Sequence, residues 1–201
     1  GRVVDGTGAP WFRGDVAVRD GRVVAIGRIA PNRARRAIDA AGKVVAPGFI
    51  DMMGQTAAPF LDDPANAFNL LSQGITTISA GEGNSDAPLT DQEAARRGWQ
   101  TMRQYFARLD SAGMPMNMVQ TVGHTRLRRM VIGDMDRQAT PAELARMESM
   151  VREAMEAGAI GVSTSLIYPP DIYASEAEIA ALAREAGGYG GRYFTHMRNE
   201  G

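Results

Sequence analysis

Along residues 1–47 the apolar positions come in short β-branched runs broken by glycine. Arg2-Val3-Val4-Asp5, Asp15-Val16-Ala17-Val18, Arg22-Val23-Val24-Ala25-Ile26 and Lys43-Val44-Val45-Ala46 predict strands. Asp20-Gly21 between two of them predicts a tight hairpin turn. From Phe49 the rhythm changes to strand–helix alternation. Phe49-Ile50-Asp51, Ile75 to Ser79, Met116 to Val122, Ala159 to Ser163 and Arg192 to His196 are apolar or β-branched runs that predict buried strands. Between them, residues 64–73 predict a helix closed by Gly74. Thr90-x-x-Glu93 is a capping box opening a helix to about Leu109. Thr140-Pro141-x-Glu143 opens another, with Leu144, Met147, Val151 and Met155 on one stripe and Gly158 at its end. Ser175-x-x-Glu178 opens a last helix that ends near Gly187-Gly188.

Alternation with short connections implies a parallel sheet with helices outside, and about five strand–helix steps are present. An α/β barrel has eight, with its reactive groups at the C-terminal ends of the strands. The polar residues just past strand ends here are Asp51, Glu82, His124, Tyr168 and His196. The expected organisation is a small β-domain over 1–47, followed by the N-terminal part of a barrel over 48–201.

Composition narrows the chemistry. Lys and Arg number 22 against 23 Asp and Glu, a net charge of −1, which argues against a nucleic-acid-binding face. No apolar run approaches the length of a membrane span. Zero cysteine excludes disulfides and thiolate ligands within the chain. Lys43 is its one lysine, so a mechanism needing a lysine uses that residue or none. The sequence carries neither a signal-peptide pattern nor an initiator Met, and the polypeptide is expected to begin upstream. The expected compartment is the cytoplasm, or the periplasm where an upstream signal has been removed.

Three motifs carry a resemblance. The first is the opening: Arg2-Val3-Val4-Asp5-Gly6-Thr7-Gly8, Ala46-Pro47-Gly48-Phe49-Ile50-Asp51 and Gly74-Ile75-Thr76-Thr77. The second comprises Gly123-His124-x-x-Leu127-Arg128 and Gly161-Val162-Ser163-Thr164-Ser165-Leu166-Ile167-Tyr168-Pro169-Pro170. The third is Thr195-His196-Met197-Arg198-Asn199-Glu200-Gly201. Together they resemble the amidohydrolase superfamily, and within it the D-aminoacylase branch (N-acyl-D-amino-acid deacylases), through the whole chain and in order.

The resemblance implies a (β/α)₈ TIM barrel, of which about the first five strands are here, with a small β-domain that forms part of a composite β-sandwich. It implies a zinc-dependent amide hydrolase in which the metal polarises the carbonyl and activates a water. The substrate would be an N-acyl-D-amino acid or a related small molecule. Two positions depart from the pattern. Where the superfamily carries His-x-His, this chain has Met53-Gly54-Gln55, and neither a thioether nor an amide replaces imidazole on zinc. Where the D-aminoacylase branch has a cysteine, this chain has Glu82 between Gly81 and Gly83. Lys43 precedes the barrel, so a bridging modified lysine is excluded.

The implied centre is one zinc ion held by Glu82, His196 and a further histidine beyond Gly201. The general-base aspartate is also expected beyond residue 201, in a C-terminal remainder of the barrel supplied by the same or a second chain. His124 would support the ligands from behind, while Tyr168 and Arg198 would bind the substrate carboxylate. Each has a plainer reading: a strand-end His196, a solvated Glu82, a loop His124, an aromatic Tyr168 packed under its loop, and an Arg198 paired with Glu200. The arginines at 96–97 and 126–129 are expected on solvated faces, the methionines in the core, and Asp51 as an anchor of its strand end. Two alternatives remain: an amidohydrolase acting on cyclic amides or dipeptides, and a non-catalytic decayed barrel.

Overall fold

The computed structural model describes residues 1–30 and 34–199. It divides into two compact units, Gly1–Gly48 and Phe49–Gly201.

In the first unit, β1 (Arg2–Val3) pairs antiparallel with β2 (Phe12–Arg13) and parallel with β5 (Val44–Val45). A separate hairpin joins β3 (Asp15–Arg19) to β4 (Arg22–Gly27). Its turn holds Asp20 and Gly21 at φ of 51° and 73°, the left-handed pair a two-residue hairpin needs. Val3 is the one fully buried side chain among this unit's described residues. Val18, Val23, Val24, Ile26 and Ile38 are exposed.

The second unit runs β6 (Phe49–Asp51), α1 (Ala58–Asp62), α2 (Phe68–Leu71), β7 (Ile75–Ala80), α3 (Asp91–Arg97) and α4 (Met102–Ala112). It continues through β8 (Asn117–Gln120), β9 (Val122–Gly123), α5 (His124–Val131), α6 (Pro141–Ala157), β10 (Gly161–Ser165), α7 (Glu176–Gly188) and β11 (Arg192–His196). All its strand pairs are parallel, in the orders β6-β7-β8 and β9-β10-β11. The two ladders meet at Thr121, whose N–H donates to Ala80 O at 3.0 Å, while Ile160 N–H donates to Gln120 O at 2.9 Å. Strand order therefore follows chain order, without the reversal that marks a doubly wound sheet.

Helices cover one face of this sheet. Val122 and Val162 pack with Leu109, Leu127, Met147, Val151 and Leu182 in the main core. Ile78 and Ala80 pack with Ala57, Phe60 and Ala67 in a second cluster. The residues thus alternate: Val162 faces the helices, and its neighbour Ser163 faces the other way, toward the turn after β7.

The structure corrects several predicted boundaries. The helix expected from Thr90 to about Leu109 is two helices. Gly98, at φ 84°, closes α3, and a second capping box, Thr101 with Gln104, opens α4. The helix expected over 64–73 begins with a tight 3₁₀ turn at Pro64–Ala67 and becomes α-helical only at Phe68. The strand expected over 116–122 splits at Thr121. The strand predicted from Ala159 begins at Gly161 and runs to Ser165. α5 went unseen because Gly123 at its start offers no capping side chain. Arg128 was expected on a solvated face and is fully buried, for a reason given below.

Candidate functional site

Glu82 lies two residues past β7, in a turn that leaves no room for a side chain on either flank. A Cβ on Gly81 would come within 2.2 Å of Gln120 Nε2, and one on Gly83 within 2.1 Å of Ser165 Oγ. Both glycines hold left-handed backbone, at φ +96° and +63°. Ser163 on β10 fastens this turn. Its hydroxyl donates to Gly81 O at 2.6 Å and accepts from Gly83 N–H at 3.1 Å, and Thr121 Oγ1 lies 2.9 Å away. The turn is also tied to the end of β6, since Gly81 N–H donates to Gln55 O at 3.1 Å.

His196 ends β11 in register with Ser165 on β10. Its Nδ1 stands 3.7 Å from Glu82 Oε1, so parallel pairing has brought together two groups 114 positions apart in number (196 minus 82). Gln55 Nε2 donates to the other carboxylate oxygen of Glu82 at 2.8 Å. Tyr168 approaches the His196 ring edge-on, with centroids 5.6 Å apart. A cavity of about 280 Å³ opens here, walled by Glu82 and His196 together with Met52, Met53, Ala80, Phe194 and Met197.

The pair suits a divalent metal in donor type, one carboxylate oxygen and one imidazole nitrogen. Two donors at zinc–ligand distances on a tetrahedral ion sit roughly 3.3 Å apart, and the observed 3.7 Å is close to that. Among the described residues no group of three or more His, Cys, Asp or Glu could hold a metal, so Glu82 and His196 are at most part of a ligand set. Met53 and Gln55 add no imidazole, and Gln55 instead holds Glu82.

The other sequence candidates serve different ends. His124, the first residue of α5, is fully buried, with Nδ1 2.9 Å from Asp171 Oδ1 and Nε2 2.8 Å from Glu178 Oε1. Both nitrogens face carboxylates, where the expectation was a residue supporting the metal ligands from behind. Burial disfavours the charged imidazole, but the hydrogen bonds and negative charges of Asp171 and Glu178 outweigh it, raising its pKa. Burial likewise opposes the Glu178 carboxylate, yet His124 and Arg128 lower its pKa. Arg128 donates from Nη1 to both Glu178 oxygens at 2.8 Å and from Nη2 to Arg137 O at 2.8 Å, so both buried Nη groups are paired.

Arg198, expected to bind a substrate carboxylate, donates its Nη1 to Ile172 O and its Nη2 to Ala174 O. The alternative pairing with Glu200 lies outside the described residues. Asp51 does anchor its strand end, accepting from Met53 N–H at 2.9 Å. Met102, Met147 and Met155 are core residues as expected, but Met52, Met53 and Met197 are exposed and wall the cavity. Asp171 and Ser163 were missed. A serine inside a strand gives no signal, and Asp171 could be suspected only from its place after Pro169-Pro170.

The Amidohydrolase family profile matches residues 36–197. An N-acyl-D-glutamate deacylase of Alcaligenes xylosoxydans xylosoxydans is 38% identical over 100% of this chain and 43% of its own length. A D-aminoacylase of the same organism is 36% identical over 100% of this chain and 44% of its own length. Among solved structures, a D-aminoacylase studied for the role of its binuclear metal centre, with one-metal activation and second-metal attenuation, matches at TM-score 0.90 and 37% identity. It is covered over 44% of its length, and this chain over 100%. The N-acyl-D-glutamate deacylase of Bordetella bronchiseptica, complexed with zinc and a phosphonate inhibitor, matches at TM-score 0.88 and 41% identity, with the same coverage. The fold is TIM-barrel-like, as in those structures. The chain spans less than half the length of the curated relatives it matches.

Proposed function

This chain belongs to the amidohydrolase family, and on that premise we propose that it supplies two ligands of a single-zinc site in an N-acyl-D-amino-acid deacylase. The observation that carries the reading is the meeting of Glu82, just past β7, and His196, at the end of β11, 3.7 Å apart over one cavity. Glu82 and His196 would hold the ion, with the remaining ligands and the general-base aspartate coming from the rest of the barrel, in the same or a second chain. When bound, zinc supplies Lewis-acid polarisation of the amide carbonyl and a water of lowered pKa.

The chain's own residues prepare that site. Ser163 fixes the backbone on both sides of Glu82, and Gln55 occupies its Oε2, leaving Oε1 on the His196 side. Tyr168 packs its ring edge-on against His196, and in this reading its hydroxyl would donate to the substrate carboxylate. Met52, Met53, Phe194 and Met197 line the cavity with apolar surface and would shield the reacting bond from water once substrate is seated.

A panel on the longest native polypeptide carrying this chain tests the reading. N-acyl-D-amino acids should be hydrolysed with kcat/KM at least about a hundredfold above their L-enantiomers, cyclic amides and dipeptides, a gap of roughly 2.7 kcal/mol. Preferential turnover of cyclic amides or dipeptides would transfer the site to the other amidohydrolase reading. Ligand binding without turnover would support a decayed barrel.

A further inference from the structure

The segment between β10 and α7 carries Tyr168 and is held from two sides. From the protein interior, buried Asp171 accepts from Ser165 N–H at 2.7 Å through Oδ2 and faces His124 Nδ1 at 2.9 Å through Oδ1. From the β11 side, Arg198, two residues beyond His196, donates one Nη to Ile172 O and the other to Ala174 O. Leu166 N–H donates to His196 O at 2.9 Å, closing the near end of the same segment against β11. Within the segment, Tyr168 O accepts from Ile172 N–H at 3.0 Å, so the backbone that Arg198 grips is one hydrogen bond from the backbone of Tyr168.

We propose that Arg198 is a positioning residue, which clamps residues 166–174 to the strand bearing His196 and thereby sets Tyr168 against the His196 ring. A planar fork suits this task, because two carbonyls two residues apart need two donors at fixed separation, which an ammonium cannot offer. The clamp couples the histidine and the tyrosine through one side chain, so that a shift of the segment moves the rim of the site relative to His196. The effect on substrate rests on the deacylase reading. The mechanical clamp does not.

The test uses the longest native polypeptide with Arg198→Met, Arg198→Lys, Tyr168→Phe and the Arg198→Met/Tyr168→Phe double variant. Hydrogen exchange is followed at the amides of Ile172, Tyr173 and Ala174, each hydrogen-bonded within the segment. Turnover is measured on an N-acyl-D-amino acid and on its carboxamide. Arg198→Met should speed exchange at those amides by about tenfold or more while α6 and α7 stay protected, and Arg198→Lys should fall between. The kcat/KM should drop by about tenfold on acid and carboxamide alike, and most of that drop should vanish in the Tyr168→Phe background. Loss confined to the acid, with exchange unchanged, would overturn the proposal in favour of a direct carboxylate contact. Equal losses in both tyrosine backgrounds, with exchange raised throughout, would reduce Arg198 to general stability and also overturn it. Absence of turnover in the parent would defeat the deacylase reading, and the exchange measurement would still decide the clamp.

Discussion

Four buried side chains, His124, Arg128, Asp171 and Glu178, form a closed group whose charges cancel only while His124 is protonated. Its linkage to pH has a definite sign. His124 has a raised pKa, so its contribution is complete below the unfolded value of about 6.5 and is lost as pH climbs through the higher folded value. Glu178 has a lowered pKa, so its contribution holds above its ordinary value of 4.5 and is lost as pH falls through the lower folded one. His124→Leu should cost about 3–5 kcal/mol by leaving Asp171 without its cation, and should flatten the alkaline limb. Denaturant midpoints across pH 6 to 9 check this. An alkaline limb unchanged in the variant would assign it to another group. At the site itself, Gly81→Ala would force Cβ into Gln120 Nε2 and Thr121 O at positive φ. It should cost at least about 2 kcal/mol and lower metal content, read by thermal midpoint and metal analysis. The two candidate ligands that the structure brings together were legible, because Glu82 and His196 each follow a β-branched or aromatic run that ends at a turn. The residues that hold them were not. The Ser163 hydroxyl contacts a turn 80 positions away, at Gly83, and only the folded register reveals that.

Among the elements, those with chemical punctuation were the legible ones. Thr140, Pro141 and Glu143 fixed the start of α6, and Gly158 its end, as the sequence pattern required. Thr140→Ala should cost about 1 kcal/mol, measured as a shift in denaturant midpoint, since its hydroxyl accepts from Glu143 N–H and Glu143 reaches back to Thr140 N–H. No change in the midpoint would mean that the Arg137–Glu143 ion pair holds this turn without the cap. Elements lacking such marks were missed or fused. α5 begins on a bare glycine. The α3–α4 break was hidden because Gly98 lies within a run that is otherwise good helix, and the bond that fastens it, Trp99 Nε1–H donating to Asp86 O at 2.8 Å, is formed only in the fold. The division of the third strand at Thr121 is a tertiary effect, set by which neighbour each half pairs with.

For the molecule as a whole, the outer strands of the sheet differ from the inner ones. Ile78 on β7 and Val162 on β10 are buried, whereas Phe49 and Ile50 on β6 and Tyr193 on β11 are exposed. An unpaired apolar edge is a surface that native proteins cover. We propose that further strands of the barrel cover it, and that the exposed valines of the first unit belong to a composite β-sandwich. Parallel alternation and strand-end polarity made the fold class legible. Among the described residues, Glu82 and His196 are joined by no third His, Cys, Asp or Glu that could complete a metal site. Metal content per polypeptide therefore tests the central claim most directly, on the longest native form and on its Glu82→Ala and His196→Ala variants. About one zinc ion in the parent, lost in both variants while each remains folded, is the predicted result. Zinc retained in either variant, or no metal in the parent, would contradict it.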